Sequence, residues 1–404
     1  MLPAIVLSAH VTGLGVIRSL GMMGVPIIAI YTSKKDMGSV SKYVKEKYYA
    51  PHPEEHEDKF IGLLLNLAKR FKGSLLIPAD DETLTTVSRH KLLLEGNYKL
   101  AFTESSVTQI CINKENTYML ADKLGIPVPK TRVPQSFEDI LEWRNRIEFP
   151  CVVKPVYSHR YFNVFKKKLV RVDNFEQLMF HYREAVDHGL EVLIQELIPG
   201  DDTCGINYCS YFCGDKFLAE FTAEKVRLAP THFGVPRVLI SKHIPEIISP
   251  TRKLLQAMKF CGYSCVEYKK DSRNGVYKLM DINGRMNRSI LHSLRCGINF
   301  PWIVYNHQVY NKLPLQNSFV SGVYWIDLFS DIIHSVKCRG TEKYNLRHYI
   351  KPYINPCIFS IFCIKDFKPI IKRGLDVIRQ EIQKISNRIR SNVKLLLKSV
   401  SFFS

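Results

Sequence analysis

The chain has 404 residues, 46% of them hydrophobic and 24% charged, with a formal net charge of +19. This is ordinary globular composition in a chain long enough for two or three packed units. No apolar run approaches the length needed to cross a bilayer, and eleven cysteines without a CxxC pair exclude a complete disulfide framework. Cysteines in apolar context, such as Cys151, Cys265 and Cys363, read as small hydrophobes in a reducing compartment. The start, Met1 to Leu7, reads as a buried strand and lacks the basic, long apolar pattern of an export signal, so a cytoplasmic location is expected. The positive charge favours an anionic partner: ATP, nucleic acid or an anionic membrane surface. It is concentrated in the tail, where residues 371–404 hold eight basic and two acidic side chains.

Residues 1–105 alternate strand and helix patterns, which implies a parallel sheet covered on both faces. Strands are expected at 4–8, 25–31 and 74–78, with a helix over 16–22. A further helix follows from Phe60, Leu63, Leu64, Leu67 and Phe71. In such sheets ligands lie beyond the carboxyl ends of the strands, where His10, Thr12, Gly13 and Asp80 to Glu82 fall. The glycine turn Ser8 to Gly15 matches a nucleotide-binding turn weakly: its third glycine is out of place and no acidic residue closes the second strand. A tight strand-to-helix turn is the favoured reading.

Residues 106–190 form a different unit. A helix is expected over 117–124, stopped by Gly125-Ile126-Pro127. Another spans 136–147, with Ser136 and Asp139 at capping spacing. The apolar strand Cys151-Val152-Val153 delivers Lys154 and stops at Pro155; a lysine carried by a buried strand is costly unless it is used. A helix over 174–188 and a strand over 192–197 come next. Several short strands are expected between 207 and 240, then a helix over 250–261.

The hairpin from Glu267 to Asn283 turns at Asn274-Gly275. Asp281 and Asn283 are two apart, so on a strand they share a face while Ile282 points into a core. Glu267 on the partner strand completes a candidate Mg²⁺–phosphate site of oxygen ligands. A solvated acidic hairpin edge would explain the same residues.

Taken in order, these segments resemble the ATP-grasp superfamily, and within it the carboxylate–amine ligases, over about residues 4–310. The resemblance implies an α/β (α+β) ATP-grasp fold with a Rossmann-like N-terminal domain at 1–105. An ATP-grasp domain would follow at 106–315, with a lid at about 125–197, then a C-terminal extension at 316–370 and a basic amphipathic helix at 371–404. It implies that Lys114 and Lys154 contact ATP phosphates, that Gln195, Glu196 and Ile198 hold the adenine, and that Asp202 takes the ribose. Lys225 and Arg227, on one face of a strand, would clamp the transferring phosphoryl group. Glu267, Asp281 and Asn283 resemble the metal ligands, and Arg285 the arginine that meets the acyl phosphate or the acceptor. Two departures stand out. Asp281 occupies a position where glutamate is commoner. The segment 156–168 has no glycine, so His159, Arg160 or its lysines would cover the phosphates in place of backbone N–H groups, with its four aromatics shielding the site.

The activity implied is ATP-dependent joining of a carboxylate to an amine through an acyl phosphate, releasing ADP and phosphate, with ATP and Mg²⁺ (Mn²⁺ as the alternative) as cofactors. No catalytic triad or zinc pattern is legible. The competing reading is a non-enzymatic, membrane-surface nucleotide-binding protein with a degenerate ATP-grasp domain. It is motivated by Leu375, Ile378, Ile382, Ile385, Ile389 and Leu396, which recur at helical spacing among basic residues. Nucleic acid is the weaker candidate, because no nucleic-acid module is readable.

Overall fold

The computed structural model describes residues 1–214, 216–313, 318–338 and 345–400; of residues 384, 385 and 387–400 it describes the backbone alone. The N-terminal unit contains β1 (Ala4–Leu7), α1 (Val11–Gly21), β2 (Ile27–Tyr31), β3 (Val44–Tyr49), α2 (Glu57–Phe71), β4 (Leu75–Pro78), α3 (Asp81–Arg89), α4 (Lys91–Glu95) and β5 (Lys99–Leu100). Its strands form a parallel sheet in the order β3-β2-β1-β4-β5. The helices α5 (Ser105–Ile112) and α6 (Lys114–Lys123) lead to a small antiparallel sheet, β6-β9-β7-β8. That unit, where the lid is expected and called the lid below, contains β6 (Thr131–Arg132), α7 (Phe137–Glu142), β7 (Cys151–Pro155), α8 (Ser158–Phe165), β8 (Val170–Val172), α9 (Phe175–Asp187) and β9 (Val192–Glu196).

The central sheet follows, with β10 (Gly205–Cys213), β11 (Lys216–Ala229), β12 (Val235–Ser241), α10 (Ile248–Ala257), β13 (Gly262–Lys270) and β14 (Tyr277–Asn283). Then come α11 (Ile290–Arg295), α12 (Phe300–Tyr310), β15 (Tyr324–Ile326), α13 (Leu328–Lys337), α14 (Leu346–Ile354), β16 (Cys357–Phe359) and α15 (Lys368–Val400). The sheet order is β14-β13-β10-β11-β12-β15-β16. The segment 316–370 therefore extends this sheet through β15 and β16; residues 316, 317 and 339–344 lie outside the described residues. Past β16 the chain returns to the N-terminal unit. There the Asp366 carboxylate accepts from Arg18 Nε (2.9 Å), the Ser41 hydroxyl (2.7 Å) and the Lys42 N–H (2.8 Å).

The expected elements are present with shifted bounds. Helix α1 begins at Val11 rather than 16, because the His10 ring nitrogen accepts from the Thr12 N–H at 3.0 Å and caps it early. The glycines of that turn serve packing. A Cβ on Gly13 would lie 2.0 Å from the Ser8 carbonyl oxygen, and one on Gly15 would lie 2.4 Å from Ile290, so the turn reading holds. Ser136 and Asp139 form the capping box, but α7 stops at Glu142 and continues as a 3₁₀ turn over Arg144–Arg146. In place of several short strands, Gly205–Cys213 and Lys216–Ala229 form two long ones, β11 running for 14 residues, because pairing on both sides sustains them. The segment expected to loop over the phosphates is instead the helix α8. Its Tyr161 and Phe165 pack into the lid's own core, so they build the lid rather than shield a site.

One apolar core fuses the N-terminal and central sheets: Val6, Ile17 and Ala29 pack in the same cluster as Tyr211, Phe221, Tyr263 and Ile290. The lid's core, around Ile140, Val153, Leu178 and Ile194, is separate.

Candidate active site

The β13–β14 pairing sets Glu267 directly opposite Asp281 and Cys265 opposite Asn283. Val266 and Ile282 pair on the other face and are buried, as the alternation requires. The two carboxylates thus stand side by side at the sheet edge. Around them gather lysines from four separate segments. Lys114, at the start of α6, pairs with Asp281 at 2.8 Å. Lys225 of β11 pairs with Glu267 at 2.6 Å. Lys154, delivered by β7, donates to the Tyr118 hydroxyl (2.6 Å) and to the Met280 carbonyl (3.0 Å), and Tyr118 in turn donates to Met280 O (2.7 Å). Lys168, on the exposed rim after α8, acts electrostatically on Glu267.

The electrostatics of this cluster are coupled. Burial would raise the Glu267 carboxyl, but Lys225 and then Lys168 hold it down at about 2. Burial lowers Lys154 against the pull of Asp281 and Glu267. Four lysines against two carboxylates leave net positive charge, which suits a polyanion. The carboxylates themselves suit a hard cation sharing that anion. Among the described residues no three His, Cys, Asp or Glu side chains gather as a metal cage. Two carboxylates and the Asn283 amide are, however, a fitting partial set for Mg²⁺, which keeps water and phosphate oxygens as its remaining ligands.

Arg285 reaches the N-terminal wall of this cleft. Its guanidinium makes two hydrogen bonds to the Asp81 carboxylate, at 2.7 and 2.9 Å. Arg285 chiefly holds that carboxyl below its ordinary range against burial. On the same wall the His10 ring lies 3.5 Å from Asp80.

Three expectations need correction. Arg227 does not share a face with Lys225, because β11 bulges on both sides of Arg227. Its guanidinium is buried against Asp331 at 2.7 and 2.9 Å and stacks on Tyr349, away from the cleft. Asp202 is committed to the backbone: its two oxygens accept from Leu228 N and His232 N, each at 2.7 Å. The segment expected to hold the adenine lies at the end of β9 and Ile198 is buried, but Glu196 and the side-chain amide N–H of Gln195 are engaged, while Gln195 Oε1 is buried with no hydrogen-bond partner among the described residues. Gln195 donates to the Thr131 hydroxyl at 2.9 Å, and Glu196 is held by Arg273 and by Lys278, the latter at 2.9 Å.

The sequence leaves other positions open or points them elsewhere. Lys168 belonged to a run of three lysines whose spacing does not say which one turns inward. Tyr118 had no signal, since its role depends on Met280 and Lys154 folding against it. His159 pairs with Glu54 of the N-terminal unit at 3.0 Å, both side chains largely buried. Arg288 pairs with Asp327.

The fold is the ATP-grasp fold. The structure superposes on an L-amino acid ligase from Bacillus licheniformis with a TM-score of 0.60 and 16% identity, over 76% of this chain and 74% of that one. It superposes on an N5-carboxyaminoimidazole ribonucleotide synthetase, solved as its ADP complex, with a TM-score of 0.64 and 15% identity, over 85% and 90% of the two chains. In sequence the chain is similar to a D-aspartate ligase of Enterococcus faecium, 27% identical over 277 residues. That match spans 64% of this chain and 66% of the relative, just under two thirds of its length. No protein-family model matches the chain.

Proposed function

We propose that the protein is an ATP-dependent carboxylate–amine ligase that forms an amide through an acyl phosphate and releases ADP and phosphate. The observation that carries this reading is the convergence of Lys114, Lys154, Lys168 and Lys225 on Glu267 and Asp281 in one cleft. Phosphoryl transfer needs little beyond positioning and charge neutralisation, and this set provides both. The Tyr118 hydroxyl and the Met280 carbonyl orient the Lys154 ammonium from behind. Lys114 and Lys225 hold carboxylates that they can exchange for phosphate oxygens. Glu267, Asp281 and Asn283 are the proposed Mg²⁺ ligands, with Mn²⁺ as an alternative. When bound, the ion neutralises phosphate charge and polarises the transferring group.

The substrates proposed are a small-molecule carboxylate and an amine such as an amino acid. The cleft wall formed by Arg285, Asp81, His10 and Asp80 is the proposed place of their selection: Arg285 offers a guanidinium for a carboxylate or acyl phosphate, and the acidic side chains suit an amine. The resemblance to a D-aspartate ligase and the occurrence of the fold in an L-amino acid ligase support this choice. The proposed place of action is the cytoplasm.

The test is phosphate release from ATP and Mg²⁺ with pooled amino acids and carboxylates. Release that needs both substrates, and that is lost in Lys154→Met and Asp281→Asn, supports the ligase. Tight ATP binding without turnover in any pool would favour the non-enzymatic reading.

A further inference from the structure

The C-terminal helix has two apolar sides with different fates. On one, Ile370 packs against Leu14, Met37 and Ile361, and the Lys372 ammonium donates to the Asp36 carbonyl (3.1 Å) and the Ser39 hydroxyl (3.3 Å). These contacts fasten the first turns of α15 to the N-terminal unit. On the other, Ile371, Leu375, Ile378 and Ile382 are 49–60% exposed. Their spacing of four, three and four residues puts them on one face of the helix. Ile364 and Phe367, in the segment entering the helix, are exposed as well.

The sequence continues the apolar spacing at positions 385, 389, 393, 396 and 400; those side chains lie outside the described ones. From 371 to 400 the average step is about 3.6 residues, the period of a straight helix rather than the 3.5 of a supercoiled pair. Over Lys368–Val400 there are nine Lys and Arg against two acidic residues. A second copy of this helix would set like charge against like charge along its length. An anionic surface gains with every one of them. Among the described residues no helix is long and apolar enough to cross a membrane, so the face is suited to lying on a bilayer, not spanning it.

We propose that α15 lies in the plane of an anionic membrane surface, with its exposed isoleucine–leucine face at the headgroup boundary and its basic residues on the lipid phosphates. At 33 residues it would cover about 50 Å of surface. The inference is independent of turnover, because the binding is read without substrates.

The full chain is sedimented with vesicles of phosphatidylcholine alone and with vesicles enriched in phosphatidylglycerol. Binding at least about tenfold stronger to the anionic vesicles, falling with added salt, is expected. Ile378→Glu/Ile382→Glu should abolish it, and Arg379→Gln/Arg388→Gln/Arg390→Gln should weaken it and flatten the salt dependence. Both sets change exposed or tail positions, so circular dichroism and melting temperature of the remaining fold serve as the folding control. Absence of anionic-vesicle binding, or equal binding to both vesicle types, overturns the proposal. So does a concentration-dependent dimer in sedimentation velocity that is lost in Ile378→Glu/Ile382→Glu, without vesicle binding; that result gives the face to a second copy. Retention of RNA without vesicle binding would likewise overturn it.

Discussion

The body and the lid are held by different physics. The N-terminal and central sheets share one apolar core, in which Val6 and Ile17 meet Tyr211 and Phe221. The lid keeps its own core and touches the body mainly through polar groups, with Tyr157 packed against the N-terminal core. Lys154 bonds the Met280 carbonyl, the Lys114 N–H bonds the Val156 carbonyl, Asn113 bonds the Tyr157 hydroxyl, Glu196 holds Lys278, and His159 holds Glu54. A shared core resists opening, because parting it exposes apolar surface at about 25 cal/mol per Å². Polar contacts exchange with water at a net of about 1 kcal/mol each. The lid is therefore held to the body more weakly than the two larger sheets are held to each other.

This contrast can be broken most severely at Lys154, where lid and site coincide. Lys154→Met should reduce ATP-dependent phosphate release by about 10²- to 10³-fold with little change in melting temperature. If melting collapses instead, Lys154 is a structural residue. The next largest effect belongs to the body. Arg227→Met leaves Asp331 without its two-pronged partner and should cost about 3 kcal/mol in urea unfolding, while the protein that remains folded turns over normally. Loss of turnover with unchanged stability would return Arg227 to the site.

The lid's grip can be tuned by pH. Burial opposes protonation of His159, but Glu54 first, then Asp81 and Glu82, raise its pKa above the ordinary 6.5. Burial likewise opposes ionisation of Glu54, yet His159, Arg160 and His52 hold its pKa below the ordinary value. A raised histidine contributes fully below its ordinary pKa and is lost as pH rises through the raised value. The KM for ATP should therefore climb about three- to tenfold as pH rises from about 6.5 through that value. Glu54→Gln should raise KM at low pH and flatten the profile. An unchanged profile in that variant means the contact does not close the lid. The smallest effect is expected at the capping box of α7: Ser136→Ala should cost about 1 kcal/mol. It should be seen as faster hydrogen exchange confined to residues 137–142, with the body unaffected.

Much of the fold is legible in the sequence alone. The parallel N-terminal sheet follows from strands alternating with helices, and the Glu267–Asn283 hairpin from Asn274-Gly275 between two alternating strands. Lys154 stood out because a buried strand delivered it. The errors share a cause. Arg227 was placed by counting two along a strand, and a bulge cancels that count. Asp202 and Glu196 have the right residue type at the right distance from a motif, yet backbone N–H groups and hairpin cations took them. Residues 156–168 lack glycine; that Ser158–Phe165 wind into α8 depended on Tyr161 and Phe165 finding the lid core.

The chain's local patterns determined which residues alternate, which turns close and which segments are strands or helices, because those depend on neighbours a few positions away. Tertiary structure alone decided which charges meet: Lys114 with Asp281, Lys225 with Glu267, Arg285 with Asp81 and His159 with Glu54. Their partners lie tens to hundreds of residues distant, and a buried charge accepts whichever opposite charge the packing of the sheets brings within reach.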